Sequence, residues 1–133
     1  MAGSTTKDNK EAVITIGIIR DGQMAYTVYG ENGKELPKEL HTYEIGSLTK
    51  TFTSAMICKG IQEEKIHMDE IGMAWIIDKE NNIVWHNGGT GKYNCYLGFN
   101  VENKIAVIVL SNLSPSYRIP ATVLGVKLLQ SMN

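Results

Sequence analysis

Several short apolar-rich stretches of this chain end at turn-forming residues. Residues 12–20 and 23–30 read as two strands joined by Asp21-Gly22, a dipeptide that favours a tight hairpin. Residues 72–78 and 83–87 read as a second hairpin across Lys79-Glu80-Asn81-Asn82, and residues 93–100 and 104–111 as a third across Val101-Glu102-Asn103. In two places the period changes to that of a helix. Behind Ser47, the residues Phe52, Ala55, Met56 and Lys59 recur at helical spacing, and Gly60 supplies a stop. Residues 119–132 read as a closing amphipathic helix, apolar at Val123, Leu124, Leu128 and Leu129. Residues 1–11 read as a flexible polar tail, 31–41 as a polar connection containing Pro37, and 61–70 as a short helical or irregular bridge. The pattern predicts a single α+β domain over 12–133: an antiparallel sheet of about five or six strands with helices packed on it.

Composition narrows the class without changing it. With 133 residues, 43% hydrophobic and 20% charged, the chain is an ordinary globular domain with enough material for a core. A net charge of −1 gives no electrostatic reason to expect nucleic acid or an anionic membrane as partner. No stretch approaches transmembrane length, and the start lacks the basic and apolar regions of a signal peptide. The compartment is not written in these residues. Cys58 and Cys95 are too few for a disulfide framework and read as small buried hydrophobes. His67, Asp69 and Glu70 lack the paired spacing and the fourth ligand of a metal site, and read as a solvated helix end. No metal and no cofactor is expected. His41 reads as a loop residue, Trp75 and Trp85 as core or cleft wall, and Met24, Met56, Met68 and Met73 as gap-fillers.

The chemistry concentrates in two stretches. The first, Tyr43-Glu44-Ile45-Gly46-Ser47-Leu48-Thr49-Lys50-Thr51-Phe52-Thr53, places a hydroxyl and an amine three residues apart on the opening turn of a helix. The spacing alone proves little, because Ser4-Thr5-Thr6-Lys7 repeats it in the polar tail. Context separates them: a strand-like lead-in, a glycine for a tight turn and a helix surround Ser47. Two readings stand side by side, Ser47 as a helix N-cap and Ser47 as a nucleophile. The second stretch, His86-Asn87-Gly88-Gly89-Thr90-Gly91, closes a strand with glycines whose N–H groups can face a reacting atom.

These motifs, together with the hairpin Tyr96-Leu97-Gly98-Phe99-Asn100 to Ser111-Asn112 behind them, resemble the superfamily of class C β-lactamases, penicillin-binding proteins and related serine esterases. The resemblance runs from Ala12 to the C-terminus. It implies Ser47 as nucleophile, Lys50 as its base or proton relay, and His86 at the motif on the active-site edge strand. It further implies an oxyanion hole from the N–H groups of Ser47 and Gly89, with Gly88 and Thr90 lining the substrate side. Lys92 stands where a second glycine is common, which bears on loop shape.

The larger departure is an absence. The family's third motif, a Tyr with an Asn two residues on, lies in a mostly helical subdomain inserted between the other two, and no Y-x-N occurs between Glu70 and the strand that begins near Ile71. Tyr93-Asn94 has the wrong spacing. The resemblance therefore implies the α/β half of such an enzyme without its helical half. Where the family carries Lys, His86 would hold a substrate carboxylate less well, since an imidazole of ordinary pKa, about 6.5, is mostly neutral at pH 7. This tilts the substrate from carboxylated β-lactams towards small esters. A lysine acts as base at neutral pH only where burial or a neighbouring cation lowers its pKa, so weak turnover is expected, or none in a non-catalytic remnant or minimised scaffold. Removal of the covering subdomain predicts an exposed apolar patch around Phe52, Met56, Trp85 and Tyr93, and a homodimer through the active-site face.

Overall fold

Asp21 and Gly22 take φ of +49° and +77°, the left-handed pair that a type I′ hairpin requires. They join β1 (Ile14–Arg20) to β2 (Gln23–Tyr29) in the register Ile19↔Met24, Gly17↔Tyr26. The computed structural model describes residues 1–38, 41–63, 74–100 and 102–132. Five further strands complete one sheet: β3 (Glu35–Leu36), β4 (Ile76–Asp78), β5 (Ile83–Gly89), β6 (Asn94–Asn100) and β7 (Ile105–Ser111). The order is β3-β2-β1-β7-β6-β5-β4, antiparallel throughout. The class is α+β as expected. The sheet has seven strands rather than five or six, because β3 spans only two residues, too few to show a period, inside the stretch 31–41 read as a connection.

One face of this sheet carries the core. Ile14, Ile83, Tyr96, Val107 and Val109 are buried there against α3 (Ala121–Ser131), which contributes Ala121, Leu124 and Leu129. Of the apolar positions expected on the closing helix, Leu124 and Leu129 are buried and Leu128 is partly so, whereas Val123 is exposed. Each fully buried side chain of this size contributes about 1.5–3 kcal/mol. Gly125 exists for one ring: a Cβ there would lie 2.0 Å from Cδ1 of Tyr96. The Tyr96 hydroxyl is buried and makes no hydrogen bond among the described residues, and burial pushes its pKa up to about 12. Its neutral form is therefore favoured in the fold. This contribution is complete below about pH 10 and is lost as pH rises towards 12. Tyr96→Phe is expected to be neutral or stabilising at pH 7, by up to about 1–3 kcal/mol for an unpaired buried hydroxyl, and to flatten the alkaline limb of stability. Urea unfolding at pH 7 and pH 10.5 checks both; a destabilised Tyr96→Phe would reveal a bond to that hydroxyl.

Residues 1–11, expected as a flexible tail, are packed. A short helix α1 (Ala2–Thr5) leads to Thr6, which is wholly buried and whose Oγ1 accepts the Gly33 N–H at 2.9 Å. The alternation rule misses this because a side-chain hydroxyl, not an apolar stripe, fixes the segment. The bridge over 61–70, the cluster His67, Asp69 and Glu70, Met68 and Met73, and the start of the strand expected at 72 lie wholly or partly outside the described residues.

The chain between β3 and β4 starts from one sheet edge and ends at the other, and it carries the Ser47 motif. Residues 46–48 form a 3₁₀ turn, followed by helix α2 (Thr49–Gln62), which runs two residues past the expected stop at Gly60.

Candidate active site

Gly46 adopts φ +52°, a conformation that suits glycine, and it turns the chain abruptly into the 3₁₀ segment Gly46–Leu48. In such a tight helix, residues three apart fall nearly in line. Ser47 and Lys50 meet accordingly: Lys50 Nζ donates to Ser47 Oγ at 2.7 Å. The Ser47 hydroxyl is thus engaged by the amine, where a helix cap would accept a backbone N–H. Ser47 is half-buried and Lys50 is exposed.

Two glycines let β5 approach this turn. A Cβ on Gly88 would lie 1.9 Å from the Ile45 carbonyl oxygen and 2.8 Å from the Leu48 nitrogen. A Cβ on Gly46 would lie 2.9 Å from the Gly89 nitrogen and 2.8 Å from its oxygen. Backbone is therefore laid directly on backbone, with the Gly89 peptide beside the peptide that precedes Ser47. The structure brings Ser47, Lys50, Gly88 and Gly89 together. Thr90 is used locally: its N–H donates to the Tyr93 carbonyl at 2.9 Å, and its Oγ1 accepts the Tyr93 N–H at 3.2 Å. It shapes the turn out of β5.

His86 shares a sheet face with Gly88, as alternate residues of one strand must. It is half-buried, and its Nδ1 bonds the Asn87 carbonyl. A carbonyl only accepts, so the proton sits on Nδ1 and, in the neutral ring, Nε2 keeps a lone pair. Asn87 points to the other face, where its Nδ2 donates to Thr122 Oγ1 of α3 at 3.0 Å.

Cys95 is the contributor that sequence reasoning missed. Read as a small hydrophobe, it is buried directly opposite Gly88, and its Sγ donates to the Ile45 carbonyl at 3.0 Å. Burial raises the thiol pKa, so at neutral pH it is a donor that ties the Ser47 turn to β6. Cys58 and Cys95 are not joined by a disulfide. Asn94, dismissed as part of a misspaced motif, donates from Nδ2 to the Gly88 carbonyl at 3.3 Å and accepts the Ala121 N–H through Oδ1. It ties β5 to the first turn of α3.

Tyr43, beside the motif, turns its hydroxyl to β1. Tyr43 OH shares a 2.8 Å hydrogen bond with Thr15 Oγ1, and its ring meets Tyr93 edge-on at 6.5 Å. Burial, reinforced by Tyr93, holds the Tyr43 phenol above its usual pKa despite the Thr15 bond. The patch expected around Phe52, Met56, Trp85 and Tyr93 is not one surface. Phe52 and Met56 are exposed on α2, but Trp85 stacks on Tyr96 on the opposite face of the sheet. Among the described side chains of α2, Thr51 and Ser54 are buried, and their hydroxyls bond back to the carbonyls of Leu48 and Lys50. Among the described residues no cluster of His, Cys, Asp and Glu could hold a metal ion, and no helix is long and apolar enough to cross a membrane. Compared with models of protein families, with curated proteins and with solved structures, the chain matches none.

Proposed function

We propose that this chain is an S-x-x-K serine hydrolase-like domain of the β-lactamase, penicillin-binding protein and esterase type, lacking the helical subdomain and acting weakly through an acyl-serine. The observation that carries the reading is the 2.7 Å contact of Lys50 Nζ with Ser47 Oγ, set beside the Gly88-Gly89 backbone. In the proposed reaction, Ser47 Oγ attacks a substrate carbonyl carbon and its proton passes to the Lys50 amine. The bond to the leaving group breaks, and the proton is handed to the departing alcohol or amine. Water then hydrolyses the acyl-serine, releasing the acid and restoring Ser47. The N–H groups of Ser47 and Gly89 stabilise the oxyanion, a role worth about 10²–10³ in rate for each donor.

His86 decides the substrate class. Without a fixed positive charge at this position, a carboxylate on the substrate gains little, so a small neutral ester is preferred to a carboxylated β-lactam. Steady-state hydrolysis of p-nitrophenyl acetate and of benzylpenicillin tests this. The expected result is slow turnover of the ester, loss of it in Ser47→Ala, and weaker activity on the penicillin. Ester hydrolysis unaffected by Ser47→Ala would overturn the reading. The exposure of Lys50 favours a second reading, a folded scaffold that keeps the site's geometry without turnover. Wild-type protein that never exceeds the Ser47→Ala rate on either substrate supports that second reading.

A further inference from the structure

Gly89 closes β5, and among the described residues its ladder there runs to β6 alone, because β4 pairs only with Ile83, Val84 and Trp85. Gly89 is also exposed, so burial does not hold it. Two stops do. On the face towards which a Gly88 Cβ would point, the Ser47 turn lies on the Gly89 peptide through Gly46. Successive residues of a strand face opposite ways, and on the other face stands Pro115. A Cβ on Gly89 would lie 2.8 Å from Pro115 Cγ and 3.7 Å from its Cβ. A proline ring cannot swing aside as a flexible side chain can, because it closes onto its own backbone.

The loop that carries Pro115 is itself tied down. Ser114, Pro115, Ser116 and Tyr117 form a turn in which the Tyr117 N–H donates to the Ser114 carbonyl at 2.9 Å. Proline takes the second position of that turn, which its fixed φ suits. Before the turn, Asn112 donates its N–H to the Val13 carbonyl at 3.1 Å and accepts the Val13 N–H through Oδ1 at 2.7 Å. Its Nδ2 donates to the Glu11 carbonyl at 2.7 Å. After the turn, the Tyr117 hydroxyl accepts Asn9 Nδ2 at 3.4 Å, and Arg118 donates to the Lys7 carbonyl at 2.8 Å. The segment expected as a free tail therefore braces both ends of this loop. The loop in turn sets one proline ring on the strand end beside Ser47.

We propose that Pro115 is a positioning residue of the candidate site, the fixed stop that keeps the Gly89 N–H where the oxyanion forms. The inference rests on the acyl-serine reading, since the place of that N–H affects rate only if Ser47 is acylated. Pro115 acts through Gly89. A donor aimed in advance at the developing charge needs no reorganisation during the reaction, and a strand end without its stop loses that advantage.

Acylation of Ser47 by p-nitrophenyl acetate, followed by stopped flow on the full chain, tests it with single and double variants. Gly89→Ala should lower the limiting acylation rate constant at least about 100-fold, the usual worth of one oxyanion donor, because its methyl group meets the ring. Pro115→Ala should lower it about tenfold and leave the half-saturating ester concentration unchanged, since the donor acts in the transition state. The double variant should be faster than Gly89→Ala alone. With Cγ gone, the nearest atoms to the new methyl group stand at 3.7 and 3.8 Å. A merely structural contact would instead make the double variant slower than either single one. Relaxation of the Gly89 backbone amide gives a readout free of chemistry. Its order parameter should be about 0.85 in the wild type and fall below about 0.6 in Pro115→Ala. Pro115→Ala with an unchanged order parameter, or with the wild-type acylation rate, overturns the inference, as does a double variant no faster than Gly89→Ala. A wild-type chain that is never acylated overturns the acyl-serine reading itself, and with it the catalytic role of Pro115.

Discussion

Gly88→Ala is expected to lower stability by at least about 2–3 kcal/mol, the cost of forcing a methyl group into a filled space, and to abolish acylation. The new Cβ would lie 1.9 Å from the Ile45 carbonyl oxygen and 2.8 Å from the Leu48 nitrogen. Both are backbone atoms, so no rotamer change relieves the clash. Either β5 retreats, taking Gly89 with it, or the turn that holds Ser47 lifts. The Cys95 bond to the Ile45 carbonyl would be broken in the second case. For a domain of this length the loss corresponds to a melting temperature lower by about 10 °C. Gly91→Ala is the matched control: nothing lies within 4 Å of a Cβ there, and its effect should stay within about 0.5 kcal/mol. Thermal melts of the two variants decide it. Equal melting temperatures would mean that the Ser47 turn does not rest on Gly88.

Lys50→Met is expected to slow acylation of Ser47 by about 10²–10⁴, the usual worth of a positioned proton acceptor. Stability should hardly change, since Lys50 is exposed and its amine bonds Ser47 itself. Lys50→Arg separates two roles. It keeps a cation beside Ser47 but cannot accept a proton near neutrality. If Lys50 is the proton acceptor, arginine fails as badly as methionine; if it merely orients Ser47 electrostatically, arginine restores much of the rate. Pre-steady-state labelling with an activated ester gives the rate constants. A Lys50→Met variant acylated within tenfold of wild type would remove Lys50 from the proposed chemistry.

The parts of the fold legible in the sequence are those that local rules dictate. Asp21-Gly22 marked its turn because only a few residues tolerate two left-handed conformations in a row. The short apolar run from Ile105 to Leu110, bounded by turn-forming residues, marked β7. Periodicity failed where no repeat could develop, as in the two residues of β3. It also could not say which side of α2 faces inward. Phe52 and Met56 are exposed while Thr51 and Ser54 are buried, and the hydroxyls of Thr51 and Ser54 satisfy themselves on the helix backbone. The sheet face chosen by Trp85 was equally hidden. It follows from its register opposite Ile76 and Gly98, and the partners of a strand are not written in its own alternation.

The candidate site divides in the same way. The proximity of Ser47 and Lys50 was legible because residues three apart on a helical turn share a side, and Gly88 and Gly89 because glycines permit close backbone approach. Cys95 and Asn94 were not, because each acts across the sheet on a residue distant in sequence.

Whether Ser47 is a nucleophile is tested most directly by intact-mass spectrometry after incubation with a fluorophosphonate. The expected result is a single covalent adduct on the wild-type chain, located at Ser47 by peptide mapping and absent from Ser47→Ala. A wild-type chain still unmodified after long incubation with excess probe would contradict it, as would an equal adduct on Ser47→Ala.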